Sequence, residues 1–153
     1  MIHIARTFNN LKDLITAIKS DTEQALNHTA NLTKDLIEDF INQWYSDYSP
    51  LWYQRTYQLL NSITRTEVIK QSNKMSVSVY LDESLLHYST DEQGILTAAD
   101  NGLHGSVYNH FEEGERHVRL WSDAENEIRD KELVFDAFEN YLKNKGIPYE
   151  RGH

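Results

Sequence analysis

The residues whose types could do chemistry are three histidines, His104, His110 and His117, set among Glu112, Glu113 and Glu115. Imidazoles and carboxylates together can hold a transition metal or move a proton. Their spacing argues against a metal centre. Successive histidines stand six and seven residues apart, whereas a zinc-binding helix offers a pair four apart and most other zinc motifs use cysteine. The chain has no cysteine, which excludes thiolate nucleophiles, disulfides and cysteine-ligated zinc together. Carboxylates are plentiful, but none stands alone in an apolar run as a general acid of raised pKa would. No nucleophile elbow, phosphate-binding glycine loop or dinucleotide fingerprint occurs. The two glycines of "GLHGS", residues 102–106, read as a sharp bend. The expectation is therefore no catalytic centre, no metal and no cofactor.

A second constellation suits binding better than catalysis. The stretch "YSPLWYQRTYQLLNSI", Tyr48 to Ile63, carries four aromatic rings, a proline and an arginine in sixteen positions, with Trp44 and Tyr45 just before it. Tyrosine, tryptophan and arginine dominate interface hot spots because each joins a large contact area to a polar handle. The guanidinium of Arg55 can stack on a ring or form a bidentate pair with a carboxylate. Trp44, Tyr48, Pro50, Trp52, Tyr53, Arg55, Thr56, Tyr57 and Leu59 are the candidate partner or subunit interface. A second reading stands beside it, in which some of these rings cap the chain's own core at a helix-to-strand corner.

These residues must be positioned by the elements around them. From about Phe8 to Asp47 there is neither proline nor glycine. Leu11, Ile15, Ile18, Ala25, Leu32 and Leu36 fall on one stripe at steps of three and four, with Thr22 and Thr29 at intermediate places. Phe40 and Trp44 continue that face. An unbroken helix of ~40 residues would reach about 60 Å, longer than one small domain can cover. Thr22, Asn27, Thr29 and Asn31 are poor helix formers and mark where a break would fall. Two readings follow: two antiparallel helices, or one long helix that offers its stripe to a neighbouring subunit. After Ser49-Pro50, "SITRTEVIKQ" and "MSVSVYLD" flank "SNK" as a β-hairpin, with Met75, Val77, Val79 and Leu81 facing inward. A short helix is expected over Ile95 to Asp100. A terminal helix opens at Ser122 as N-cap, with Glu125 three residues on, and stops at Gly146 and Pro148. The fold class is α+β: a long N-terminal helix, a small antiparallel sheet and short C-terminal helices. One domain is expected over residues 1–153, a helical arm at 1–47 and an α+β body at 48–153.

Composition sets the outer bounds. Hydrophobic residues make up 39% of the 153, enough for a modest core. No run approaches the ~20 apolar residues of a membrane span, and "MIHIARTFNNLKDL" has no secretory h-region. Charge is uneven. Residues 1–82 hold eight Lys/Arg against nine Asp/Glu, and residues 83–153 hold seven against fifteen, so almost the whole net charge of −9 lies in the second part. Such a surface offers nucleic acid no basic footprint. It reads as a solvated acidic face, or as one past which DNA can travel without sticking. Glu112, Glu113, Glu115, Asp123, Glu125 and Glu127 are the candidate channel surface.

The aromatic stretch resembles the Tyr-x-Pro-x-x-Tyr-x-Arg-Thr-x-x-Leu-x-x-Ser-Ile segment of small tailed-bacteriophage proteins of the head–tail joining, neck or tail-completion group. The match falls on Tyr48, Pro50, Tyr53, Arg55, Thr56, Leu59, Ser62 and Ile63. Ala98 to Gly105 is similar to a glycine–histidine turn of some relatives, and Leu120-Trp121 and "YLKNKGIP" are similar to later segments. Tyr57 stands where relatives often have glycine, and Ser106 replaces the second glycine of the turn. The resemblance implies a virion structural protein and not an enzyme, with a long helix packed across a few strands. It further implies a homo-oligomeric ring that meets neck, portal or adaptor and tail proteins, in the virion after synthesis in the bacterial cytoplasm. DNA would pass without tight binding, and no membrane is involved. The alternative is a bacterial cytosolic module that binds a peptide or protein through the aromatic patch.

Overall fold

A computed structural model of the chain describes residues 7–50, 55–87, 92–105, 111–113, 115–116 and 118–150. Its first helix, α1 (Leu11–Ser46), runs for 36 residues without interruption, about 54 Å at the standard rise. Of the two readings the sequence leaves open, the single helix is the one formed. Of the poor helix formers, Thr22 and Thr29 satisfy their hydroxyls within the helix, and Asn27 accepts Arg65 Nη1 at 3.0 Å. Thr16, Thr22, Thr29 and Thr33 each donate a hydroxyl to the carbonyl four residues earlier, at 2.8–2.9 Å. Asn10 caps the start: its Oδ1 accepts the Asp13 N–H at 2.9 Å and its Nδ2 donates to the Asp13 carboxylate.

The chain turns after α1 and enters a one-turn helix, α2 (Gln58–Asn61), and then a ribbon of four short strands. β1 (Ile63–Arg65) pairs antiparallel with β4 (Val79–Leu81), and β2 (Ile69–Gln71) with β3 (Lys74–Ser76). The expected hairpin is thus present, but its register slips midway. Arg65 faces Val79 whereas Ile69 faces Ser76, so three residues on one strand oppose two on the other. That is a β-bulge. It is held by the Thr66 N–H donating to the Ser78 carbonyl at 2.9 Å and the Ser78 N–H donating to Thr66 Oγ1 at 3.1 Å. Val79 and Leu81 pack on the core and Tyr80 faces out, as the alternation requires. Beyond the bulge the alternation blurs, because the tip extends past the core and all of β2 is exposed.

A 3₁₀ turn (Glu83–Leu85) leads on to α3 (Glu92–Asp100), which contains the expected short helix and begins earlier than it. The glycine bend that follows is the entry to a third ribbon, β5 (Leu103–Gly105) against β6 (Phe111–Glu113). Glu112 and Glu113 thus stand on a strand. Strands of three residues leave no readable period. Two helices complete the chain, α4 (Leu120–Asp130) and α5 (Leu133–Asn144), where the sequence suggests one. The break falls at Glu132, whose φ of 48° is left-handed. Ser122 is not the N-cap. Arg119 holds that place, its N–H donating to the Asp123 carboxylate at 3.0 Å, while Ser122 donates N–H and hydroxyl to Asp100 at 2.7 and 2.8 Å.

The core lies at the C-terminal end of α1. Ile41, Trp44 and Tyr45 meet Leu59, Ile63, Leu86, Ala99 and Leu120 there. Farther along α1, Tyr141 of α5 stacks near His28 and donates its hydroxyl to Gln24 at 3.0 Å. The first turns of α1 lie outside the core, with Leu11 70%, Ile15 44% and Ile18 53% exposed.

The end of α5 bears out the expected stop. Gly146 has a φ of 66°, its N–H donates to the Lys143 carbonyl, and the Ile147 N–H donates to the Leu142 carbonyl. This is a Schellman cap. A Cβ at Gly146 would meet no atom within 4 Å, so Gly146→Ala carries conformational strain alone. A urea unfolding curve should show a loss of about 1 kcal/mol.

Candidate functional site

The long helix delivers two aromatic rings and one carboxylate to a single place. Trp44 and Tyr48 are four residues apart around the end of α1, and His104 of β5 lies against both rings. The Trp44 and His104 centroids are 4.2 Å apart with planes 16° off parallel, and those of Tyr48 and His104 are 5.0 Å apart at 22°. Tyr45 extends the pile, tilted against Trp44 at 5.3 Å and edge-on to Tyr57 at 5.3 Å. The Arg55 guanidinium lies 5.2 Å over the Tyr45 ring and donates to the Tyr48 carbonyl. Such cation–ring and ring–ring contacts are each worth about 0.5–1.5 kcal/mol beyond area burial.

Asp47 ties this pile to the β5–β6 ribbon. Its carboxylate accepts the Arg116 N–H at 2.6 Å, Arg116 Nε at 3.2 Å and the Val118 N–H at 3.4 Å. Its carbonyl accepts the Glu115 N–H at 3.0 Å. Arg116 also reaches the Gln43 carbonyl and the Ser46 hydroxyl, closing over the helix end. Burial of Asp47 would push its carboxyl up; the Arg116 and Val118 amides and the Arg116 guanidinium more than offset that and hold it below the usual range.

His104 is 1% exposed, and among the described residues neither of its ring nitrogens has a hydrogen-bond partner. Burial, reinforced by Arg55 and opposed by Asp47, pushes its pKa down to about 4. The ring is therefore a neutral stacking element. Trp44 and Trp121 also bury their indole N–H groups without a partner among the described residues.

The structure sorts the candidate residues. Trp44 and Leu59 are 8% and 1% exposed and belong to the core, where they leave a partner little area. Tyr48, Pro50 and Arg55 are half-buried, and Thr56 and Tyr57 are exposed. Trp52 and Tyr53 lie outside the described residues. Tyr57 has a φ of 56°, the left-handed conformation glycine takes without strain. Of the acidic residues, Glu113, Glu115, Asp123 and Glu125 are exposed and Glu127 is half-buried. The Glu112 side chain lies outside the described residues. Glu125 and Glu127 pair with Arg129 and Lys131 on the same helix. His110 and His117 also lie outside the described residues, and His104 is a stacking residue. Among the described residues no group of three His, Asp or Glu side chains is placed to hold a metal, and no helix is long and apolar enough to cross a membrane.

The sequence reading missed Asp47, His104 as a core ring, and Arg116. The one available signal was that the aromatic stretch and the glycine–histidine turn stood out together. In the folded chain they touch, Tyr48 of one stacking on His104 of the other.

A protein-family model described as YomN matches residues 10–144, from the N-cap of α1 to the last residue of α5. The chain belongs to the YomN family. That name has the form given to Bacillus phage and prophage gene products and suggests a phage origin. No curated protein and no solved structure matches the chain. The family match thus takes in the whole arrangement described above, the exposed arm and the clasp of Asp47 included.

Two tests follow from the YomN-family site. His104 has a pKa of about 4 in the folded chain against 6.5 when unfolded, so the unfolded state takes up the proton first. Stability should be full above pH 6.5 and fall by roughly 3 kcal/mol as the pH drops to 4, at 1.36 kcal/mol per pH unit. His104→Phe keeps a stacking ring without a titrating group and should flatten that part of a stability–pH profile. At Tyr57, glycine would relieve about 1 kcal/mol of backbone strain while losing a ring contact of similar worth. Tyr57→Gly should therefore melt close to the parent, and Tyr57→Ala, which loses the ring and keeps the strain, clearly below it.

Proposed function

We propose that the chain is a virion structural protein of a tailed phage or prophage, working by assembly and not by catalysis. In this reading copies form a ring at the head–tail junction, joining head to tail and leaving a passage for DNA. The observation that carries it is the arm of α1. A helix of 36 residues sinks its second half into the core and leaves Leu11, Ile15 and Ile18 in water. A contiguous apolar stripe on a soluble chain marks an interaction surface. The phage-type family name and the resemblance of the aromatic stretch to neck and tail-completion proteins support the same reading.

The passage would be lined by exposed acids such as Glu113 and Glu115. Like charge keeps the phosphates hydrated and removes the counterion-release gain that drives tight binding. Neighbouring neck, portal or tail proteins would be the other partners.

Deleting the gene from an inducible prophage should yield filled heads and finished tails that do not join, counted by electron microscopy. Complementation should restore joined particles that contain the chain by mass spectrometry. Joined, infectious particles from the deletion would overturn the proposal. The purified chain should show no retention of duplex DNA at physiological salt, and saturable binding there would remove the passage from the reading.

A further inference from the structure

The arm's apolar face has a period of its own. Leu11, Ile15, Ile18, Thr22, Ala25, Thr29, Leu32 and Leu36 follow strict alternating steps of four and three. That repeat of 3.5 residues is the seam a helix shows to another helix. Within the chain the middle of the seam is covered, Ala25 and Thr29 being 0% and 5% exposed. Its first part is not. Lys12 and Lys19 flank the uncovered part along one edge, both exposed and neither in an ion pair with a described residue.

These lysines decide what covers the seam. If two copies paired arm to arm in antiparallel fashion, Lys12 and Lys19 of each would face those of the other, a like-charge arrangement that destabilises. In a parallel pair Lys19 would oppose Leu14 and gain no countercharge. A helical surface with an apolar centre and an acidic rim satisfies both edge and seam. The α4–α5 layer of the same chain offers both an acidic surplus and exposed apolar side chains. Residues 120–144 carry seven Asp/Glu against three Lys/Arg, and Val134 and Phe135 are 37% and 62% exposed on α5.

We infer that the first three turns of α1, through Leu11, Ile15 and Ile18, dock on the α4–α5 layer of a second copy of the chain. The contact joins two different patches, so each copy both gives an arm and receives one, and repetition closes a ring when the rotation permits. This rests on the ring reading and deepens it by naming the two surfaces. A three-turn contact is smaller than the ~800 Å² per partner of a standard stable interface. Self-association therefore depends on every copy making the contact twice.

The test uses the purified full chain with p-benzoylphenylalanine in place of Ile15. Irradiation over a range of concentrations should give dimers and higher adducts whose cross-linked peptides map to residues 120–144 of another copy. Cross-links to residues 7–20 of another copy, or a wild-type chain that stays monomeric at every concentration, would overturn the inference. Ile15→Asp with Ile18→Asp should leave the thermal melt unchanged, since both side chains are exposed. It should weaken self-association about 100-fold, the loss expected on uncovering two isoleucines. Lys12→Glu with Lys19→Glu should also weaken it, and charge reversal at Asp123 and Glu125 should restore it in that background. Unchanged association in the isoleucine variant would overturn the inference. The gene-deletion experiment tests the ring reading by itself, so joining that needs the chain while cross-links map elsewhere would sink the surfaces alone.

Discussion

The fold hangs on the carboxylate of Asp47. It sits one residue past a 36-residue helix, fully buried, and gathers the Arg116 and Val118 amides and the Arg116 guanidinium. Removing a buried acceptor strands its donors at a cost of ~1–3 kcal/mol each, and here two backbone amides share one carboxylate. Without that carboxylate the Arg116 and Val118 amides lose their acceptor, and the ribbon that carries His104 is held to the end of α1 only by the Glu115 amide and the Arg116 contacts with Gln43 and Ser46.

The segments that make the sequence distinctive are chiefly the segments that build this anchor. Tyr48 and Arg55 come from the aromatic stretch, His104 from the glycine–histidine turn and Leu120 from the later match. Tyr48 and Arg55 are half-buried, and His104 and Leu120 are buried. Their distinctiveness reflects packing geometry first. What the aromatic stretch leaves in water among the described residues is modest, chiefly Thr56 and Tyr57, while the larger apolar exposure lies some thirty residues earlier on α1.

Legibility followed the length of the signal. α1 was readable because its apolar steps repeat over ten turns' worth of chain, and even its overreach beyond the core could be inferred from its length. The end of α5 was readable from Gly146 and Pro148 because a left-handed cap has a residue preference of its own. The β5–β6 ribbon was not readable: three-residue strands carry no period, and what fixes them is His104 in its stack, a contact between residues sixty apart. The split between α4 and α5 was hidden for a related reason. Glu132 adopts a left-handed conformation that its residue type does not advertise. In the interface set, the burial of Trp44 could not be read from its type, because large aromatics serve cores and contacts alike. Asp47 could not be singled out among twenty-four acidic residues, since its partners lie about seventy positions away.

The ribbons bear on solubility. The three described two-stranded ladders, two of them parts of one bulged hairpin, each keep outer edges that no further described strand pairs. Unpaired sheet edges expose a chain at high concentration to sheet-to-sheet aggregation. The three-residue length of each strand leaves too little edge to template a cross-β stack, which needs segments of about six residues. At the hairpin tip the bulge twists the edge, and exposed Lys74 places charge beside it, while Lys70 pairs with Glu23 of α1 at 2.6 Å. The register slip between β1–β4 and β2–β3 therefore works as a guard against fibre formation, keeping the exposed ribbon from offering a longer continuous edge.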